Sequence, residues 1–174
     1  MVKKITPLIY LNQSLDEIFS KFNKTTRNEI RKTAKMPELK FVRLDKNLSG
    51  SYKFYKKIKQ KDRVLPELKR DFIGCKFFNA YLNGKMVVSM SCWDNGRVLR
   101  LKSIVSLRKS HEYESKILAC ASRRLIWEIC NYGKEKGHKV IDLGGINFAE
   151  SSKSGITQFK QSFSGTVIDT FIYR

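Results

Sequence analysis

Two Asn-Gly pairs, Asn83-Gly84 and Asn95-Gly96, separate three β-rich runs, and no other feature restricts the fold of this chain as much. The runs are Cys75–Leu82, Lys85–Trp93 and Arg97–Val105. Asn-Gly accepts positive φ at both centres of a type I′ turn, whose twist suits tightly paired strands. Two such pairs between alternating runs predict a three-stranded antiparallel meander. In its second strand Met86, Val88, Met90 and Cys92 alternate, and in its third Leu99, Leu101 and Val105 are expected on one face.

The segments around the meander supply helices. Leu118, Ala121, Leu125, Ile129 and Tyr132 recur at steps of three and four, which predicts one long amphipathic helix from about Glu112 to Lys136. Gly137 suits its left-handed cap. Val140–Leu143 then reads as a short buried strand, Gly155–Phe163 as a short helix and Thr166–Tyr173 as a closing strand. Ahead of the meander, Leu8–Leu11 and Phe41–Leu44 read as strands. Capping boxes at Ser14/Glu17 and Thr26/Glu29 start two helices, Pro37 ends the second, and Ser51 starts a third. The fold class expected is α/β: a mixed sheet flanked by helices, with an antiparallel meander, a long helix and a C-terminal strand–helix–strand.

A length of 174 residues fits a single domain spanning 1–174, and a hydrophobic fraction of 41% is that of a globular chain. No apolar run approaches the roughly 20 residues of a membrane span, and no secretory signal is read at the start, so a cytoplasmic location is expected. Cys75, Cys92, Cys120 and Cys130 form no C-x-x-C pair and read as buried free thiols. His111 and His138 stand too far apart in sequence to suggest a metal site, and none is predicted. Walker, serine-elbow and Rossmann motifs are missing, which argues against NTPase, hydrolase and dehydrogenase classes. The net charge of +19 would attract polyanions such as tRNA, acyl-CoA, nucleotide sugars or an anionic membrane surface; a merely solvated Lys-rich surface is the alternative.

The C-terminal third carries a sharper signal. Asp142-Leu143-Gly144-Gly145-Ile146, then Gly155-Ile156-Thr157-Gln158-Phe159-Lys160 and Phe163-Ser164-Gly165, resembles the DLGG…G(L/I)xxFKxxFxG pattern of the FemABX peptidoglycan-bridge enzymes and their single-domain acetyltransferase relatives. Arg27-Asn28-Glu29-Ile30-Arg31-Lys32-Thr33-Ala34 resembles the RRNIRKA segment of the same family. The element order is likewise similar to the GNAT acyltransferase fold. The resemblance implies transfer of an acyl group to an amine of a cell-envelope precursor, a nucleotide- or lipid-linked amino sugar or peptide. It leaves two donors open, acyl-CoA (acetyl-CoA first) and aminoacyl-tRNA. FemABX enzymes normally carry two such domains, so a cleft between domains would here require a homodimer or another partner. Acyl-CoA members show an R/Q-x-x-G-x-G/A loop before the long helix; Arg108 fits its first position, but His111 and Tyr113 stand where small residues belong.

Acyl transfer needs donors for a developing oxyanion and a deprotonated amine. The resemblance places Ser103, Ile104 and Val105 at the reacting carbonyl through main-chain groups, with Arg108, Lys109 and Ser110 on the donor. It makes Lys160 a stabiliser of negative charge with Phe159 beneath it, and sets Arg27, Arg31 and Lys32 on an anionic acceptor. Asp142 could orient the amine or act as base; alternatively it bonds the amides of the Gly-Gly turn. Lys160, Arg27, Arg31 and Lys32 also read as ordinary solvated residues. A non-catalytic basic module binding RNA or an anionic surface is the rival from another class.

Overall fold

The computed structural model describes residues 2–107, 113–146, 155–163 and 165–172. Seven strands form one mixed sheet in the order β2-β3-β4-β5-β6-β1-β7. They are β1 (Val2–Tyr10), β2 (Leu39–Arg43), β3 (Lys76–Leu82), β4 (Lys85–Asp94), β5 (Val98–Ser106), β6 (Val140–Asp142) and β7 (Thr166–Ile172). The helices are α1 (Leu15–Lys21), α2 (Lys24–Lys32), α3 (Leu48–Lys61), α4 (Ser115–Glu135) and α5 (Gly155–Gln161). Every strand pairing is antiparallel except β5 with β6. The expected meander is β3-β4-β5, and the Asn83-Gly84 turn has positive φ at both residues, 49° and 78°. The second turn differs. Asn95 keeps an ordinary φ, and its side-chain oxygen accepts from the amides of Arg97 and Val98, making a wider loop in which Gly96 alone has φ of 81°.

The two faces of the sheet are covered differently. On one side α4 buries its predicted stripe, with Leu118, Ala121, Leu125 and Ile129 at 0% exposure, against Leu99, Val88, Met90 and Cys92. Phe22 at the end of α1, Phe159 of α5 and Phe163 just beyond α5 join this core, with Phe22 and Phe163 edge to face at 5.1 Å. Gly133 on α4 lets helix and sheet approach closely: a Cβ there would lie 2.7 Å from Leu11 and 3.2 Å from Leu99. On the other side Tyr55 and Ile58 of α3, Phe72, Phe77 and Val105 form a second cluster. Val105 therefore lies opposite Leu99 and Leu101, contrary to the simple alternation. A bulge explains this: Ser91 pairs with Ser103 and Cys92 with Leu101, so Lys102 is inserted and the parity of β5 flips beyond it.

Two helix starts are shifted from their expected caps. Asn23, not Thr26, caps α2, and Asn47, not Ser51, caps α3. Thr26 and Ser51 instead turn inward, where Thr26 donates to the Ser162 hydroxyl at 2.9 Å and Ser51 accepts from Asn79 at 2.9 Å. The Ser14/Glu17 capping box is present as read.

Candidate active site

The cleft follows from how β5 and β6 part. They pair in parallel only over Val98–Arg100 and Val140–Asp142. Beyond that point β5 runs on to Ser106, while the chain after β6 stays with β1: the Leu143 amide donates to Pro7 at 3.0 Å and that of Ile146 to Ile5 at 2.7 Å. From Leu101 to Ser106 the β5 edge away from β4 consequently has no paired strand among the described residues. An open edge offers main-chain N–H and C=O groups to whatever enters.

Two adjoining cavities occupy this wedge. One, of about 260 Å³, lies between Ile58 and Lys59 of α3, Ile104 and Val105 of β5, and Ile156 and Phe159 of α5. The other, of about 200 Å³, is walled by Tyr55, Glu67, Lys102, Ser103, Leu143 and Lys160. They share Lys59, Ile104 and Ile156. An apolar floor with a few converging polar groups is the usual form of a small-molecule site.

Cations dominate the second cavity. Lys160 Nζ donates to the carbonyls of Gly144 (3.1 Å) and Gly145 (3.0 Å), which hold the ammonium at the end of β6. Lys102, the bulge residue, is 11% exposed; it pairs with Glu67 and lies over the rings of Phe72 (4.9 Å) and Trp93 (5.0 Å). Burial pushes the Tyr55 hydroxyl above its ordinary pKa, and the Glu67 amide donates to its oxygen at 3.3 Å. Ser103 shares a hydrogen bond of 2.7 Å with Ser91. The Lys160 helix is seated on α2 and α4: the Asn23 amide donates to the Ser162 carbonyl at 3.0 Å, Thr26 donates to the Ser162 hydroxyl at 2.9 Å, and the Arg123 guanidinium lies 5.8 Å over the Phe159 ring.

Asp142 lines neither cavity. Its Oδ1 accepts from the Gly144 amide at 2.7 Å and its Oδ2 lies 3.3 Å from Arg100 Nε. These are the contacts of a residue that shapes the Gly144-Gly145 turn. Gly144 has φ of 74°, and a Cβ there would meet the Leu101 carbonyl at 3.3 Å and Lys160 Nζ at 3.4 Å. Arg100, Asp142, the turn and Lys160 are thus one connected set.

Of the residues selected from sequence, Ser103, Ile104, Val105, Phe159 and Lys160 come together at the cleft. Arg27, Arg31 and Lys32 do not line either cavity. Arg27 donates to the carbonyls of Ser20 and Phe22 at the end of α1, the Arg31 guanidinium lies 5.2 Å over the Phe19 ring, and Lys32 is exposed. Arg108, Lys109 and Ser110 lie outside the described residues. Sequence reasoning missed Lys59, Glu67 and Lys102. A signal for Lys102 was present, since the apolar spacing from Leu101 to Ile104 breaks the period of two. Among the described residues no cluster of three or more His, Cys, Asp or Glu could hold a metal, and no helix is long and apolar enough to cross a membrane.

No family model and no curated protein matches the sequence. Solved structures match the fold. FemX superposes with a TM-score of 0.75 at 12% identity, over 94% of this chain and 59% of FemX. A domain from Agrobacterium fabrum, assigned as the C-terminal part of a lysylphosphatidylglycerol synthetase, gives 0.71 at 11% identity over 95% of this chain and 57% of that one. A protein from Novosphingobium aromaticivorans, assigned as an acetyltransferase of the GNAT family, gives 0.51 at 8% identity over 97% and 63%. The chain spans less than two thirds of each of these proteins. Its mixed sheet with a splayed parallel pair is a GNAT-like fold. Within that class the architecture is similar to that of FemX and of the Agrobacterium domain.

Proposed function

We propose that this chain is an N-acyltransferase, moving an acyl group, acetyl first, from acyl-CoA to an amine on a nucleotide- or lipid-linked amino sugar or peptide precursor of the cell envelope. The observation that carries the reading is the wedge beyond Arg100 and Asp142, with an open β5 edge on one side and Lys160 on the other. The donor carbonyl would lie along Ser103–Val105, where main-chain amides polarise it. The amine nitrogen attacks, the C–N bond forms, the thioester C–S bond breaks, and the proton given up by the amine goes on balance to the departing thiolate. Lys160 would stabilise the oxyanion, as a fixed cation does best in a site poor in water. Asp142 would act through the turn as a positioning residue. The described unit would work in the cytoplasm as one domain, and a second subunit or partner would complete any acceptor cleft that needs another unit.

A second reading keeps the site and changes the donor to aminoacyl-tRNA. The +19 charge and the lack of glycines across Ser106–Tyr113 favour it. Thermal-shift titration separates the two, because a ligand of the folded state raises Tm by mass action. A saturable shift with acetyl-CoA or longer acyl-CoAs that survives added salt supports the CoA donor. A shift with tRNA alone moves the assignment to aminoacyl transfer, and salt-labile binding of any polyanion with no transfer to any amine supports the non-catalytic module.

A further inference from the structure

The side of the sheet covered by α3 carries a surface that the transferase reading does not use. Within ten residues, Val64, Leu65, Leu68 and Ile73 are 48%, 93%, 53% and 66% exposed. The backbone beneath them is pinned. Phe72 is 1% exposed and packs on Tyr55 at 4.8 Å, the Tyr52 hydroxyl donates to the Glu67 carbonyl at 3.0 Å, and the Leu68 amide donates to Asp71 at 3.0 Å. The segment is therefore held with its aliphatic side chains facing water, a placement that marks an interaction surface when several such residues lie together.

Charge identifies the partner. Residues 46–76 contain ten Lys and Arg against three Asp and Glu, so this stretch supplies +7 of the chain's +19. Lys56, Lys57, Lys61, Arg63 and Arg70, in the same stretch of chain as the aliphatic group, are all exposed. A second copy docked symmetrically on this face would set like charges together, which is unfavourable. Nucleic acid would satisfy the cations, but single-stranded binding faces stack bases on aromatic rings, and these side chains are Val, Leu and Ile. Exposed aliphatics interspersed in the chain with exposed Lys and Arg match the interfacial layer of an anionic bilayer, where the apolar groups enter the headgroup boundary and the cations meet the lipid phosphates.

We infer that the Val64–Ile73 segment, with the basic face of α3, docks this protein on anionic membrane. Glu67, in the same segment, walls the candidate cleft, so docking brings the mouth of the site to the lipid surface. This goes beyond the transferase proposal and does not depend on it, since docking is read with no donor or acceptor present.

The test is flotation with phosphatidylcholine vesicles, with and without phosphatidylglycerol, on the full chain. Binding is expected only with the anionic lipid. Leu65→Ser combined with Ile73→Ser should weaken it by at least about tenfold. Lys56→Ser combined with Lys57→Ser should weaken it by about fivefold per lysine. Both pairs are exposed, so circular dichroism melts should stay near wild type, and Val167→Ser, exposed on β7, should bind normally. Equal binding to neutral and anionic vesicles overturns the proposal, as does anionic binding that ignores Leu65 and Ile73. Self-association abolished by Leu65→Ser would give the face to a second copy, and RNA binding in place of vesicle binding would give it to nucleic acid.

Discussion

Gly144→Ala perturbs the joint between β6 and the candidate site, and Gly137→Ala is its natural control. Both glycines occupy the left-handed region, at φ of 74° and 77°. A Cβ costs about 1–2 kcal/mol in that conformation. For a chain of this size that is a fall in Tm of about 2–8 °C. The surroundings differ. An added Cβ at Gly137 meets nothing within 4 Å, whereas at Gly144 it meets the Leu101 carbonyl at 3.3 Å and Lys160 Nζ at 3.4 Å. Leu101 belongs to the sheet and can move little, so the turn itself must shift, and the Gly144 and Gly145 carbonyls that hold Lys160 shift with it. Paired thermal melts and transfer assays are the measurement. Gly137→Ala should lower Tm and keep the donor shift and turnover; Gly144→Ala should lower Tm by a similar amount and lose most turnover. Full turnover in Gly144→Ala would refute the idea that the turn sets Lys160 for the chemistry. An unchanged Tm would refute the strain argument itself.

Three further outcomes follow from packing and ionisation. Phe163, 1% exposed and set edge to face with Phe22 (5.1 Å) and Phe159 (5.2 Å), should cost about 3–5 kcal/mol when changed to Ala, read by urea unfolding. Burial opposes ionisation of Asp94, but the His138 hydrogen bond and the Gly96 amide outweigh it and hold the carboxyl below its ordinary value. A carboxyl depressed in the folded state adds stability above its unfolded pKa of about 3.9, and this contribution is lost as pH falls through the lower folded value. The stability gap between wild type and Asp94→Asn should therefore be full at neutral pH and close below about pH 4; a gap that persists in strong acid contradicts the reading. Burial raises all four thiols, Cys75 to about 11, so Cys75 is about one part in a thousand thiolate at pH 8. Alkylation of the native protein should be slow at every cysteine and fast after denaturation, and rapid native labelling of Cys75 would contradict that.

Much of the architecture was legible because it is set by local chemistry. Asn83-Gly84 dictates a turn that few other dipeptides tolerate, and the α4 stripe repeats at a period only a helix can bury. Where tertiary contacts compete with local ones, the sequence misled. Thr26 and Ser51 are good caps by type, yet their hydroxyls bond Ser162 and Asn79 across the fold, and the neighbouring Asn23 and Asn47 take the caps. The bulge at Lys102 inverts the face of Val105 for a reason that lies in the pairing of β4 with β5. At the site, Lys160 was visible through its motif, but the turn carbonyls that hold it are a property of the fold. Lys59 and Lys102 sit in stretches otherwise read as helix and strand, and only the parting of β5 from β6 brings them to one cavity.

The central claim is that chemistry occurs in the wedge between β5 and β6. Amide hydrogen exchange with and without saturating acetyl-CoA, repeated with tRNA, tests it directly. Protection is expected to be confined to Leu101–Ser106 and Gly155–Gln161 with the true donor, and to be weakened by Lys160→Ala while the fold stays intact. Protection restricted to the basic face of α3, with the β5 amides exchanging as in the free protein, would contradict it.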